Sequence, residues 1–218
     1  HDLQHVKAGK LRVGVTYSLS TVLTEGLLEF MKVFPDIKLE VCYKTVNELL
    51  VLLKERELDF ILSYKPLLDA PDVDSMPLFE NALALVVSKE HALAAKKRIT
   101  LQELSDVPLV LPSHDLQARM MLERLLAGKG IELSSKLELN ETNILLQMVS
   151  TGSYATVLST SAVFGSSRFR AIPIDDPANV MEASLLRLKG AYQKAAAREF
   201  VKILLDTEAV RRRHVSWF

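Results

Sequence analysis

Hydroxyl-bearing residues mark the passage from the first strand-like segment to the first helix-like segment. Thr16, Ser18, Ser20 and Thr21 lie just ahead of apolar residues at helical spacing. The first N–H groups of a helix lack intrahelical partners and carry partial positive charge, so this turn could bind a small anion. Ordinary capping of the helix by Ser18 or Ser20 would explain the same residues without a ligand, and both interpretations stay open.

The next two turns offer further polar groups. Thr45 precedes a second helix-like pattern and forms a capping-box sequence with Glu48, which favours a structural role for Thr45. Tyr64 and Lys65 follow the third strand-like segment. They could add a hydroxyl and a positive charge to the same ligand site, and a solvated loop is the alternative.

A third group of candidates lies in the second half of the chain. Pro112, Ser113 and His114 end a short apolar strand and precede a helix-like pattern. His114 could donate to an anionic ligand or titrate near neutral pH. A histidine near a helix start is more often a surface or capping residue, so this position also keeps two interpretations.

Catalytic and metal-binding chemistry has little support in the sequence. The five histidines lack metal-ligand spacing, and neither a Gly-x-Ser-x-Gly motif nor a Gly-rich phosphate loop is present. We therefore predict no catalytic residue, no metal and no cofactor other than a small-molecule ligand. The single cysteine, Cys42, excludes an internal disulfide, and its alternating strand pattern favours a buried residue over a redox sensor.

Composition places the chain among globular proteins. Of its 218 residues, 49% are hydrophobic, and 27 basic residues balance 27 acidic ones. A nucleic-acid surface would carry a clustered excess of Lys and Arg, so this stretch is not predicted to touch DNA. Its apolar runs are too short to cross a bilayer.

Strand and helix patterns alternate twice along the chain, over residues 11–63 and again over residues 109–158. Such alternation predicts parallel βαβ units, with ligands bound at the carboxyl ends of the strands. We expect an α/β fold of two subdomains, 10–84 with 189–210 and 85–188. Residues 1–9 are expected to be a linker remnant or tag scar, and residues 211–218 a solvated C-terminal tail.

Five segments together resemble the effector-binding domain of LysR-type transcriptional regulators: residues 11–16, 57–61, 83–93, 101–104 and 152–158. The resemblance covers residues 9–206, and among subgroups it is nearest to the cyanate-responsive regulator. The family commonly has Gly-x-Gly-x-x-x-x-Pro where this chain begins with Gly152. Tyr154 and Ser159 replace the second Gly and the Pro, so the identity of the inducer does not carry over.

The resemblance implies a type 2 periplasmic-binding-protein-like fold: two α/β subdomains with mainly parallel sheets, joined by two crossover strands. It implies that a small-molecule inducer, for which an anion is one candidate, is held between the subdomains. The family's inducer contacts correspond here to Ser18, Ser20, Thr21, Thr45, Tyr64, Lys65, Pro112, Ser113, His114 and Asn143.

The resemblance also implies a cytoplasmic, bacterial-type regulator that forms homodimers, with tetramers at full length. DNA would be bound through an N-terminal winged helix-turn-helix that is absent from this stretch. Two other functions stay open. A solute-binding receptor of a transport system would need a leader peptide upstream, and an enzyme on the same fold would need a buried acid–base set near His114.

Overall fold

The structure is a computed structural model that describes residues 9–214. The chain forms two compact units, each with strands and helices. The first unit runs to Glu80 and resumes at Glu182, and the second is Asn81–Met181. These boundaries lie at 81 and 182, where the sequence had suggested 85 and 189.

The elements follow the chain in mixed order. The strands are β1 (Gly9–Val15), β2 (Ile37–Tyr43), β3 (Phe60–Tyr64), β4 (Val73–Asn81), β5 (Leu83–Ser88), β6 (Leu109–Pro112), β7 (Ser135–Leu139), β8 (Thr156–Ser159), β9 (Phe169–Pro173) and β10 (Met181–Leu188). The helices are α1 (Ser20–Val33), α2 (Val46–Lys54), α3 (Leu101–Leu104), α4 (Gln117–Leu126), α5 (Thr142–Val149), α6 (Ala195–Asp206) and α7 (Glu208–His214). Among the described residues, no helix is both long and apolar enough to cross a membrane.

The sheet of the first unit has the order β2-β1-β3-β10-β4. β1 pairs in parallel with β2 and β3, whereas β10 pairs antiparallel with β3. The three parallel strands therefore end at one edge of the sheet, and the turns that follow them meet there. This edge is where the sequence placed its first candidate residues.

Aromatic and aliphatic side chains fill the first unit on both sides of its sheet. The Phe200 ring of α6 lies 5.3 Å from the Phe30 ring of α1 and 5.5 Å from the Phe60 ring of β3, measured between centroids. Leu49 and Ile61 belong to a second buried cluster that joins α2 to β3. A Cβ at Gly14 of β1 would lie 2.8 Å from Leu49 Cδ2, so a larger residue there would force this buried leucine to move.

The second unit repeats this strand arrangement without sequence similarity. β6 pairs in parallel with β7, and a parallel bridge between Leu109 and Ala155 joins β6 to the start of β8. β5 then pairs antiparallel with β8 and β9. The spatial order β7-β6-β8-β5 thus matches β2-β1-β3-β10 of the first unit.

The expected predominance of parallel pairing holds only for the strands that helices connect. Parallel neighbours need a crossover, and α1, α2, α4 and α5 supply it. β5 and β10 begin where the chain passes from one unit to the other, with no such crossover before them. They run antiparallel to β8 and β3, respectively, so the three-stranded β8-β5-β9 sheet is antiparallel.

The first residues of the expected C-terminal tail, 211–214, are helical and continue α7, which begins at Glu208, and Arg211 and Arg212 are exposed as expected. α7 extends to His214, and its Ala209 and Val210 are buried. The Glu25 carboxylate of α1 accepts the N–H groups of Glu208 at 3.0 Å and Ala209 at 3.2 Å, which satisfies the start of α7. The remaining tail residues and the expected linker, residues 215–218 and 1–8, lie outside the described part of the chain.

The Asn179 side chain forms hydrogen bonds that connect the beginning of the second unit, at β5, to its end, just before β10. Its side-chain amide donates to Leu83 O at 2.8 Å and Ile174 O at 2.9 Å, and its Oδ1 accepts Leu83 N–H at 2.8 Å. The nearby Asp176 carboxylate accepts Ala178 N–H at 2.8 Å. The Lys129 ammonium beside Asp176 holds the pKa of that carboxyl below its usual range. β5 and the segment leading to β10 are therefore held as one piece.

Replacing this amide should be costly. Asn179→Leu would remove three hydrogen bonds and the side-chain partner of the buried Leu83 N–H, while Leu83 O and Ile174 O would each keep a main-chain donor, so we expect the free energy of unfolding to fall by about 2 kcal/mol or more. Asn47→Ala, at an exposed position of α2, should change it by less than about 0.5 kcal/mol. Urea unfolding measures both variants. A loss below about 1 kcal/mol for Asn179→Leu would show that the amide does not hold these segments.

Candidate functional site

The turn after β1 leaves the start of α1 without a side-chain cap. Residues 17–19 form one turn of 3₁₀ helix before α1 begins at Ser20, and neither helix start accepts a capping side chain among the described residues. The Thr16 hydroxyl is buried and has no hydrogen-bond partner in that part of the chain. This turn therefore combines an uncapped helix start with an unsatisfied polar atom.

The other candidate residues of this turn are close in sequence but differ in exposure. Ser18 is buried within the 3₁₀ turn, whereas Thr21 is exposed on the first turn of α1. The Ser20 hydroxyl donates to Tyr17 O at 3.1 Å. Its proton therefore stabilises the turn, whereas its oxygen lone pairs can still accept a hydrogen bond.

In the turn after β2, the Glu48 carboxylate of the protein itself caps the start of α2. Glu48 Oε2 accepts the Thr45 N–H and the Thr45 hydroxyl, each at 3.0 Å, and the Thr45 hydroxyl accepts Glu48 N–H at 3.3 Å. The predicted capping box is confirmed. A carboxylate already lies at the start of α2, so an anionic ligand there would meet a like charge.

Tyr64 and Lys65 end β3 in different surroundings. Tyr64 is buried and pairs with Ala183 of β10, so it belongs to the interior of the first unit. Lys65 donates its main-chain N–H to Glu182 O at 2.8 Å, while its side chain is exposed. Lys65 is thus a positive charge at the same sheet edge as Thr16 and Thr45.

In the second unit, Pro112, Ser113 and His114 are held by their neighbours. Ser113 donates its hydroxyl to Asp115 Oδ1 at 2.8 Å. His114 Nδ1 lies 2.5 Å from Glu123 Oε1, and its Nε2 lies 3.8 Å from Glu138 Oε2. With its side chain 64% exposed and flanked by two carboxylates, His114 lies on a solvated, acidic surface.

Arg119 is the residue at this corner that sequence reasoning missed. Its guanidinium donates to Pro112 O at 3.1 Å and contacts Glu123 Oε1 at 3.2 Å and Glu138 Oε1 at 2.9 Å. Only 13% of its side chain is exposed. The sequence offers little indication of this role, because Arg119 on α4 and Glu138 on β7 become adjacent only after the strands pair.

Asn143, at the start of α5, lies beside another internal cap. The Glu141 carboxylate accepts Asn143 N–H at 3.2 Å and Ile144 N–H at 2.8 Å. The start of α5 is therefore satisfied by a negative charge, while the Asn143 side chain is exposed.

The two units thus contain different chemistry at their strand ends. Among the turns that carry candidate residues, the turns before α2 and α5 are capped by Glu48 and Glu141. The turn before α4 lies beside the carboxylates that flank His114. The turn before α1 is the one best suited to a negative ligand. Among the described residues, no group of three or more His, Cys, Asp or Glu side chains could hold a metal ion.

Comparison with known proteins identifies a regulator family. The family described as the LysR substrate binding domain matches residues 4–209. The HTH-type transcriptional regulator CysB of Burkholderia cenocepacia is 22% identical over 203 residues, which cover 91% of this chain and 64% of that regulator. The HTH-type transcriptional activator CmpR of Synechocystis sp. is 25% identical over 158 residues, which cover 72% of this chain and 52% of that activator. The chain therefore spans about half to two thirds of these relatives.

Solved structures share the fold. The Synechocystis CcmR regulatory domain in complex with 2-PG has a TM-score of 0.79 at 20% identity, covering 90% of this chain and 96% of its own. The effector binding domain of QuiR in complex with shikimate has a TM-score of 0.76 at 20% identity, covering 97% of this chain and 100% of its own. The expected type 2 periplasmic-binding-protein-like fold is confirmed.

Removing Arg119 should loosen the corner around Pro112. Arg119→Met would leave Glu123 and Glu138 facing each other without their shared cation, so we expect a loss of about 1–2 kcal/mol in unfolding free energy. The loss should shrink at high salt, because screening weakens the carboxylate repulsion. Arg124→Met, at an exposed position of the same helix, is the matched control. Equal stability of the two variants in urea unfolding would contradict the structural role of Arg119.

Proposed function

Since the chain belongs to the LysR substrate-binding domain family, we propose that it senses a small-molecule effector for a transcriptional regulator. DNA binding belongs to another part of the full-length protein, as the even balance of 27 basic and 27 acidic residues suggests. The single observation that carries effector binding is the uncapped start of α1 beside the buried, unpartnered Thr16 hydroxyl.

The effector is a small anion, or carries an anionic group. N–H groups at a helix start attract negative charge, and neither Thr16 before the 3₁₀ turn nor Leu19 before α1 provides a side-chain cap. Ser18, Ser20 and Thr21 are the best candidates for contact, with Lys65 as a nearby positive charge. Thr45, Tyr64, Pro112, Ser113, His114 and Asn143 stay predictions, of which Thr45 and Ser113 already use their hydroxyl protons within the protein.

The relatives favour this function over a transport receptor or an enzyme, because they are named as transcriptional regulators. The structural neighbours bound to 2-PG and shikimate support a small-molecule ligand for this chain as well. An enzyme would need a buried acid–base set, whereas the His114–Glu123 contact lies on an exposed surface. A cytoplasmic location is part of the proposal, since the DNA partner lies there, and the cyanate-responsive subgroup remains a prediction.

The regulator also forms a homodimer, and tetramers at full length. Leu28 and Met31 share one face of α1 and are 57% and 56% exposed. Large apolar side chains at helical spacing on a surface helix mark a protein contact, and a second copy of the chain covers them in this proposal.

A ligand screen tests effector binding. Sulfate, phosphate and small carboxylates are compared with chloride at equal ionic strength, because sulfate also stabilises proteins nonspecifically. A ligand at 100 times its Kd should add about 2.7 kcal/mol of stability, which a thermal-unfolding scan detects. Ser18→Ala should abolish the gain, whereas Ser167→Ala, exposed in the second unit, should retain it. Equal affinity in the Ser18→Ala and Ser167→Ala variants would remove Ser18 from the site.

The dimer is tested separately by sedimentation velocity. Met31→Glu places a charge in the proposed contact and should convert dimers into monomers without lowering the melting temperature. Glu29→Gln, on an exposed position of the same helix, should leave the sedimentation coefficient unchanged. A monomer at high concentration for the unsubstituted chain would overturn the contact.

A further inference from the structure

Two tyrosines stand beside the uncapped turn. Tyr17 begins the 3₁₀ turn, and Tyr43 is the last residue of β2. Their ring centroids are 4.3 Å apart with an interplanar angle of 83°, an edge-to-face arrangement. The Tyr43 hydroxyl also donates to Tyr17 O at 3.4 Å.

Sheet register places this pair at the ligand edge of the first unit. Tyr43 pairs with Val15, which is the last residue of β1 and immediately precedes Thr16. The rings therefore stand at the carboxyl ends of two neighbouring parallel strands, next to the start of α1. Tyr17 is half-buried and Tyr43 is 38% exposed, so aromatic surface remains in contact with water at this edge.

A site for an inorganic oxyanion would not need this surface. Such an ion is bound by N–H and O–H donors alone, and an aromatic neighbour contributes little to its affinity. Sites for organic ligands combine a few converging polar groups with apolar and aromatic walls. The turn at residues 16–21 supplies the polar groups, and the tyrosine pair supplies the wall.

We propose that Tyr17 and Tyr43 determine specificity, and that the effector is an organic anion whose carbon skeleton packs on this tyrosine pair. This inference rests on the proposed function, because it assigns a ligand class to the same site. The Tyr17 carbonyl accepts both the Tyr43 and the Ser20 hydroxyls, which links the rings to the turn that binds the anionic group.

Three anions separate the polar and aromatic contributions to affinity: sulfate, acetate and phenylacetate. The intact chain should bind phenylacetate about tenfold more tightly than acetate, because the ring covers aromatic surface that water contacts in the free protein. Tyr17→Ser and Tyr43→Ser should bring that ratio close to one, with acetate affinity changed by less than about twofold. Tyr43→Phe keeps the ring and should keep the ratio.

The control and the readouts distinguish specificity from simple packing. Tyr192→Ser removes a tyrosine of the same unit that is 88% exposed, and it should alter neither affinity nor ratio. If the pair only supported the turn, Tyr43→Ser would weaken acetate and phenylacetate equally, and this outcome would overturn the inference. Circular dichroism and melting temperature confirm that each variant is folded.

Failure of the inference differs from failure of the proposed function. If all three anions bind with similar affinity and Ser18→Ala abolishes each of them, the anion site stands and the organic ligand class is wrong. If none of the three anions binds, both the anion site and the ligand class are wrong.

Discussion

The first N–H groups of every helix must find partners, and this requirement organises the strand ends of both units. Glu48 satisfies the start of α2, Glu141 that of α5 and Glu25 that of α7. In each case the chain provides a negative oxygen of its own. The starts of α1, α4 and α6 have no side-chain cap among the described residues, and of these α1 begins at the strand ends of the first unit. A ligand oxygen at α1 would do there what glutamate oxygens do at α2, α5 and α7.

Parallel strand pairing brings other functional groups to the uncapped start of α1. Because β1, β2 and β3 run in the same direction, the uncapped turn, the Tyr43 ring and the Lys65 charge are brought to one sheet edge. No single sequence segment contains all three features. The equivalent edge of the second unit has the same strand order but a different chemistry, with His114 and Arg119 between two glutamates. The repeated fold therefore does not imply a repeated ligand chemistry.

Local patterns in the sequence predicted much of the fold. The Thr45–Glu48 capping box and the β10 strand are present as expected, because each depends on residues close in sequence. β4 was missed because Pro71 and Pro77 give residues 71–81 the composition of a loop. The antiparallel direction of β5 was also missed, since strand direction depends on connections that periodicity does not report. The same limit applies to the candidate residues. The sequence located the turns that carry them, but it could not predict their partners, because a partner such as Glu138 of His114 lies on a different strand.

The cap on α7 ties two distant parts of the first unit together. α1 begins at Ser20, beside the uncapped turn, and one turn later its Glu25 carboxylate holds the first N–H groups of the C-terminal helix. An α-helix is stiff over so short a distance, so a displacement at the head of α1 reaches Glu25 almost undiminished. One helix and a single acidic side chain, Glu25, therefore connect the turn before α1 to α7, so a change in the position of that turn would be passed on to the C-terminal helix.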